Sequence, residues 1–434
     1  MDEGTPLARA LSQAIARRAQ SGMTVFDLIE PLPSSAPDLF SNDYLSLTTD
    51  SFLRERFLTQ ISDAFHVLGS SGVRLGTGNS EVYNALERRL QRYYDAPSAL
   101  VCNTGYNANV AFFGSVPQAN DVIICDELIH MSCREGFRLS HARGAVYRFA
   151  HNSVTAFQTC LQDTLRKHPL IVTGDATVFV CVESLYSMDG DFSPLREIVQ
   201  VVEDFVPAGH AHIVVDESHT TGTCGPDGRG YVAHLGLGGR VHTVVHTFGK
   251  GVGVQGGVIL TSSLVRHYLM NFANNFIFST SLPFLDIHAI NSAFDVISGE
   301  RGSQLRRRLD SIARYATKHL TRELSQVPKD VLCLNESTVL QDVDNLELCS
   351  PIIPIFTPSP RSLVEFLWAH GYGATAFTIP VVKRPRIRVI VHARNTEADI
   401  DCFVALLLQW VTEQGIPMTT STKLINGRSV GSRL

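Results

Sequence analysis

Between residues 46 and 285, short apolar runs alternate with longer segments of helical periodicity, and this alternation leaves few folds open. The runs are ALVC from 99, DVIIC from 121, TVFVCVE from 177, HIVVDE from 212, VHTVVHTF from 241 and GVIL from 257. Each has the length of a buried strand and falls short of a helix. Strands spaced by helical segments predict an α/β fold, a mainly parallel central sheet with helices on both faces. One intervening segment, EVYNALERRLQRYY, sets Val82, Leu86, Arg89 and Tyr93 one turn apart and widens the stripe with Ala85 and Leu90. Asn79 or Ser80 is its expected cap.

The flanks read differently. Residues 1–45 hold an amphipathic helix with Leu7, Leu11, Ile15 and Ala16 on one face, then the breaker PLPSSAP, which together predict an N-terminal arm. From 286 to about 330 the chain carries RGSQLRRRLDSIARYATKHL, the pattern of a helix leaving the sheet and linking two domains. PIIPIF, SLVEFLWAHG, RIRVIVHA and a last helix opening at Thr396 then describe a small α+β domain within 286–434, ended by a polar, flexible tail. The expected organisation is an arm (1–45), a large domain (46–285), and a linking helix with a small domain (286–434). No repeat of fixed period interrupts it.

Composition removes several functions. Lys plus Arg number 37 against 42 Asp plus Glu, a formal charge of -5 with no basic run, which argues against nucleic-acid binding. No apolar stretch approaches the roughly 18 to 20 residues of a membrane span, and MDEGTPLARA lacks the apolar core of a signal peptide, so a soluble intracellular protein is expected. The nine cysteines, scattered from Cys102 to Cys402, never adopt the paired spacing of a zinc or redox motif, which fits a reducing compartment.

Three motif fragments fail on context. Gly251, Gly253 and Gly256 spell a dinucleotide fingerprint, yet strand-like GVIL follows where a helix should hold the pyrophosphate. Asp216, Glu217 and His219 resemble a helicase box without any upstream glycine-rich loop ending in Gly-Lys-Ser/Thr. His210, His212 and His219 lack a fourth ligand and a common position, so no metal site is expected.

What survives lies at strand ends. Asp216 closes the run HIVV, and Lys250 stands just past VHTVVHTF in the turn Thr247-Phe248-Gly249-Lys250-Gly251. Both belong to the C-terminal rim of the sheet, where open α/β sheets bind ligands. A lysine able to form a Schiff base and a carboxylate able to keep a pyridinium nitrogen protonated are what pyridoxal 5'-phosphate requires of a protein. The phosphate would take backbone donors at a helix start, and Asn103-Thr104-Gly105-Tyr106-Asn107 follows ALVC directly. Thr247 could add a hydroxyl.

With these pieces in order, the chain resembles the α-oxoamine synthases, a branch of the fold type I pyridoxal-phosphate enzymes. The likeness runs from about Ser41 to Thr396 through Asn42-Asp43-Tyr44-Leu45, GSSGVRLGTGNS at 69, the turn at 103 and DELIHMSCREGFRLS at 126. It continues through ESLYSMDGDFSPL at 183, VDESHTTGTCGPDGRGY at 215 and HTFGKG at 246. Within the family, the chain resembles the fungal 8-amino-7-oxononanoate synthases. The resemblance implies that Lys250 holds the cofactor, Asp216 pairs with its ring nitrogen, and His130 stacks on its face. It further implies His219 and Ser187 at the ring hydroxyl, Glu183 as a supporting carboxylate, Arg388 on the amino-acid carboxylate and Asn42 assisting. A homodimer acting on small molecules, an amino acid and an acyl-CoA, is expected from the same likeness.

The implied reaction condenses L-alanine with pimeloyl-CoA, losing CoA and carbon dioxide, in biotin synthesis. Some residues depart from the family pattern without touching the cofactor chemistry: Val73, Thr104, Tyr106, Met131 and Gly251 differ from the common family residues, and Phe377-Thr378-Ile379-Pro380 stands where an arginine and a proline pair are usual. They leave open a paralogue of secondary metabolism using another thioester, and a same-fold aminotransferase. A cofactor-free partner subunit would be expected to lack the lysine. Finally, Ser432-Arg433-Leu434 resembles a peroxisomal C-terminal signal, so a peroxisomal location is expected, otherwise a cytoplasmic one.

Overall fold

The computed structural model describes residues 5–20, 33, 36–335, 347–379 and 381–417. The breaker stretch, Pro380 and Ser432-Arg433-Leu434 lie partly or wholly outside the described residues. The expected runs form β1 (Ser98–Cys102), β2 (Val122–Asp126), β4 (Val178–Glu183), β5 (Ala211–Asp216), β6 (Thr243–Thr247) and β7 (Gly257–Thr261). A strand not foreseen, β3 (Val146–Phe149), joins them. Its VYRF is largely half-buried at the edge of the sheet, so it lacks the continuous apolar run that marks a strand covered on both faces.

The seven strands follow the order β1-β7-β6-β5-β4-β2-β3. Neighbours are parallel except around β7, which is antiparallel to both β1 and β6. Side chains alternate between the faces: Val122, Ile124, Val180 and Val182 meet the helices Val154–Lys167 and Leu195–Phe205. Ile123, Cys125, Phe179 and Cys181 turn the other way, onto Phe112 and Phe113 of the helix Gly105–Ser115.

Ser80, rather than Asn79, caps the helix Glu81–Tyr94 by accepting from the Tyr83 N–H, a cap worth about 1 kcal/mol. Within its stripe Arg89 reaches Asp295 and Asn291 instead of the core. The linking segment is two helices, Phe284–Ile297 and Glu300–Leu324, broken at Ser298-Gly299. Gly302 permits the tight restart, because a Cβ there would stand 2.2 Å from the Ile297 carbonyl oxygen. The first helix packs on Ser51–Ser62 and Glu81–Tyr94, and the second runs under the last helix.

That last helix, Glu397–Glu413, opens at Thr396 as expected, through a capping box closed by Asp399. It packs beside the helix Pro360–Ala369, which lies on an antiparallel sheet of β8 (Ile352–Phe356), β10 (Arg386–Ile390) and β9 (Thr375–Phe377), with β10 central. One apolar core joins these elements to β1, β7 and to Leu39, Tyr44 and Leu45. The end of the arm is therefore core, which places Asn42 and Tyr44 beside the main sheet. The helix Pro6–Gln20 forms as expected but has no buried residue, and Leu7, Leu11 and Ile15 are each more than half exposed. Among the described residues no helix is long and apolar enough to cross a membrane, and no cluster of ligand side chains could hold a metal ion.

Candidate active site

Register brings the acidic groups together before any side chain is considered. Glu183 ends β4 and pairs in register with Asp216 at the end of β5, whose other neighbour is Val245 of β6. Beyond β6 the chain turns at Thr247, and Lys250 swings back over the rim. The turns that follow β5 and β6, at Ser218 and Thr247–Lys250, and the start of the helix Gly105–Ser115 border a cavity of about 500 Å³. Lys250, His130, Gly105, Tyr106 and Thr247 line it, as expected for one site.

Asp216 is fixed from two sides. One oxygen accepts from the Ser218 N–H at 2.8 Å, the other from Asn109 Nδ2 at 2.6 Å. Each carboxylate oxygen keeps a lone pair for a further donor. Asn109 Nδ2 also reaches Ser132 Oγ at 3.0 Å, and Ser132 Oγ lies 2.7 Å from His130 Nδ1. His130 Nδ1 in addition caps the following helix by accepting from the Ser132 N–H. The ring is thus held by both bonds while part of its surface opens to the cavity.

The turn expected to hold the phosphate is shaped by contact. At Gly105 a Cβ would fall 1.6 Å from Thr247 Oγ1, so only glycine allows the turn to approach β6. Thr247 Oγ1 bonds Ser218 Oγ at 2.8 Å, and Thr104 caps the helix through the Asn107 N–H. Gly251, one of the departures, has a local cause: a Cβ would stand 2.7 Å from the Thr221 carbonyl oxygen.

Lys250 Nζ lies 3.0 Å from His219 Nε2, and His219 is buried. Burial lowers the Lys250 pKa, with Arg388 acting in the same sense against Asp216 and Glu183. His219 is pushed well below its usual range by burial, then by Lys250, Arg388 and His130. Glu183 is pushed well up by burial and by the charge of Asp216, which favours its protonated form. His130 is lowered mainly by burial.

Arg388 projects from the central strand β10, its guanidinium carbon 5.2 Å from the Phe377 ring centre and Nη1 donating to the Ser187 carbonyl at 3.2 Å. Its Nε and the Asn42 Oδ1 are buried without a hydrogen-bond partner. Such orphaned groups are costly unless a ligand completes them. Ser187 meets Arg388 through its main chain, and its hydroxyl shows no contact that would assign it to a ring oxygen. Ser187, Arg388, Asn42 and the buried Asp216, His219 and Glu183 do not line the cavity itself. Asn109, Ser132, Ser218 and Tyr44 are the site residues that sequence reasoning missed. Asn109 had a signal, a lone polar side chain among Ala108, Ala111 and Phe112 on a buried helical face.

A model of the class I and II aminotransferase family matches residues 37–407. The chain belongs to that family. Among curated members, the 8-amino-7-oxononanoate synthase of Emericella nidulans is 37% identical, over 88% of this chain and 90% of its own. The aminoacyl transferase sphA of Aspergillus fumigatus is 31% identical, over 93% of this chain and 85% of its own. In fold, this aminotransferase-family chain superposes on a Sphingomonas wittichii serine palmitoyltransferase with TM-score 0.77 and 23% identity, covering 96% of this chain and 100% of that one. It also matches the 8-amino-7-oxononanoate synthase of Francisella tularensis at TM-score 0.67 and 21% identity, covering 88% and 100%. The family, the enzyme class and the cofactor expected from the sequence are borne out: this is a pyridoxal-phosphate-dependent acyltransferase of the α-oxoamine synthase type. The residues present fit that cofactor: Lys250, the glycine-shaped turn at Gly105 and Asn109, whose Oδ1 is unsatisfied, line one cavity, and Asp216 stands just behind it, bonded to the lining Asn109 and Ser218.

Proposed function

We propose that the protein joins L-alanine to pimeloyl-CoA, releasing CoA and carbon dioxide and forming 8-amino-7-oxononanoate for biotin synthesis. The observation that carries this reading is Arg388: a buried planar cation with an unmet Nε, close enough to depress Lys250, suits the carboxylate of a small amino acid. The 37% identical relative supports the acyl substrate.

Pyridoxal phosphate, when bound, supplies an electron sink for the amino-acid α carbon. Lys250 anchors it, and its Nζ, once free, is the base that takes the α proton, a role served by its lowered pKa. Asp216 accepts from the ring nitrogen and keeps it charged. His130 shields one face from water, and Gly105, Tyr106 and Thr247 hold the phosphate. Arg388 and Asn42 hold the substrate carboxylate until it leaves as carbon dioxide. His219 and Glu183, buried behind the lining residues, would support the cofactor from there, and Ser187 serves by holding Arg388 through its carbonyl. We include a homodimer in this proposal.

A second reading has its own observation. Phe377 packs on Arg388 and opens the stretch Phe377-Thr378-Ile379-Pro380, which stands where an arginine and a proline pair are usual, and this difference beside the substrate arginine suits a paralogue with a different thioester. Purified enzyme with alanine and a panel of acyl-CoAs, followed by mass detection of the aminoketone, decides between them. Product from pimeloyl-CoA alone supports the first. Product only from other acyl chains supports the paralogue, and keto-acid product without thioester consumption would make the chain an aminotransferase.

Arg388→Lys is expected to weaken alanine binding by about tenfold or more, since a point charge replaces a bidentate fork, with acyl-CoA affinity near wild type. Spectral titration with alanine checks this, and an unchanged affinity would remove Arg388 from the role. We further propose that Ser432-Arg433-Leu434 directs the protein to peroxisomes. A fluorescent protein fused ahead of residues 423–434 is expected there and should become cytosolic without residues 432–434. A diffuse signal from the intact tail would reject the address.

A further inference from the structure

Tyr44 is fully buried, yet it carries a polar group that nothing in the reaction outlined above uses. Its phenol oxygen lies 2.5 Å from His219 Nδ1, while the opposite ring nitrogen, Nε2, lies 3.0 Å from Lys250 Nζ. We propose that Tyr44 sets the tautomer of His219, so that Nε2 carries the ring proton and presents it to the reacting amine. The inference rests on the reading of Lys250 as that amine.

The reasoning is a count of protons. Among the described residues the Tyr44 hydroxyl has no hydrogen-bond partner besides His219. A buried O–H that fails to donate is costly, so the proton points at Nδ1. A neutral imidazole has one donor and one acceptor nitrogen, and an accepting Nδ1 leaves the proton on Nε2. Nε2–H then faces Nζ. An ammonium has only donors to offer, so the contact is compatible only with a neutral amine turning its lone pair toward the imidazole.

The surroundings act in the same direction. Burial keeps the phenol protonated against the pull of Arg388, and burial with Lys250, Arg388 and His130 keeps His219 neutral. On Lys250, burial and Arg388 oppose Asp216 and Glu183. Tyr44 is therefore a positioning residue that acts through His219. Its place in the fold is secured by the packing of Leu39, Leu45 and Leu47 into the main core.

The test is the ring-nitrogen NMR spectrum of the holoenzyme labelled with 15N-histidine, the His219 signals being those lost in His219→Gln. In the wild type Nδ1 should be the bare nitrogen and Nε2 the protonated one. In Tyr44→Phe, which keeps the ring volume, that pattern should give way to mixed tautomers. The bound-cofactor absorbance should persist, and kcat should fall about tenfold while KM for alanine moves less than about twofold. An unaltered His219 pattern in Tyr44→Phe would overturn the proposal. So would a protonated Nδ1 in the wild type, an outcome that needs no variant to fold. Either result leaves the cofactor reading standing if the wild-type absorbance is present, whereas its absence would remove both.

Discussion

Lys250→Ala is expected to lose the covalent hold on pyridoxal phosphate and all but a residue of activity, while the fold survives. Lys250 lies in a turn between Gly249 and Gly251, and among the described residues its amine makes one hydrogen bond, to His219, so little of the surrounding structure is tied to it. Its removal takes away both the anchoring amine and the base. General base catalysis alone is worth about 10² to 10⁴-fold, so turnover should fall by at least that range. Borohydride reduction followed by intact mass reads the anchoring directly. Wild type should gain the reduced cofactor adduct and the variant should not. An adduct at wild-type level would mean that another lysine carries the cofactor. Binding without the covalent link should continue, since Gly105, Thr247 and Asp216 do not rely on Lys250 for their positions.

The same turn explains which parts of this protein are legible in sequence. Strands covered on both faces announce themselves as apolar runs, and the six such runs are all strands. β3 was hidden because its Val146, Tyr147 and Arg148 are half-buried or exposed, unlike the fully buried edge strand β1, and β9 because three residues, Thr375–Phe377, carry no period. The expected single linking helix is two helices because the poor helix formers Ser298-Gly299 coincide with a tight approach at Gly302. Strand ends predict a rim, so Asp216 and Lys250 could be placed together from the chain alone. Ser187 shows the limit: a motif places it near the ring, while the structure shows its carbonyl, not its hydroxyl, in use. Groups that support others have no such signature. Asn109, Ser132 and Ser218 matter through bonds between distant segments, and only the folded sheet brings those segments into reach.

Those supporting bonds make Asp216 the most exacting position after Lys250. Asp216→Asn preserves shape and still allows acceptance from the Ser218 N–H, so folding and cofactor uptake should be retained. What disappears is the negative charge. An opposite charge within bonding distance shifts a pKa by about 1 to 3 units, and without it the ring nitrogen of the bound cofactor loses its proton near neutral pH. The electron sink weakens accordingly, and kcat should fall on the order of 10²-fold with little change in KM for the amino acid. Loss of the charge also removes the attraction that raises the Lys250 pKa and the repulsion that raises that of Glu183. Lys250 should therefore be neutral down to lower pH in the variant, so the acid limb of any remaining activity should move to lower pH. Steady-state kinetics across pH separate the two effects. Activity within threefold of wild type would show that Asp216 shapes the wall without holding the ring charge. Asn109→Ala should act in the same sense but more weakly, because it frees one oxygen of a carboxylate that Ser218 still holds by the other.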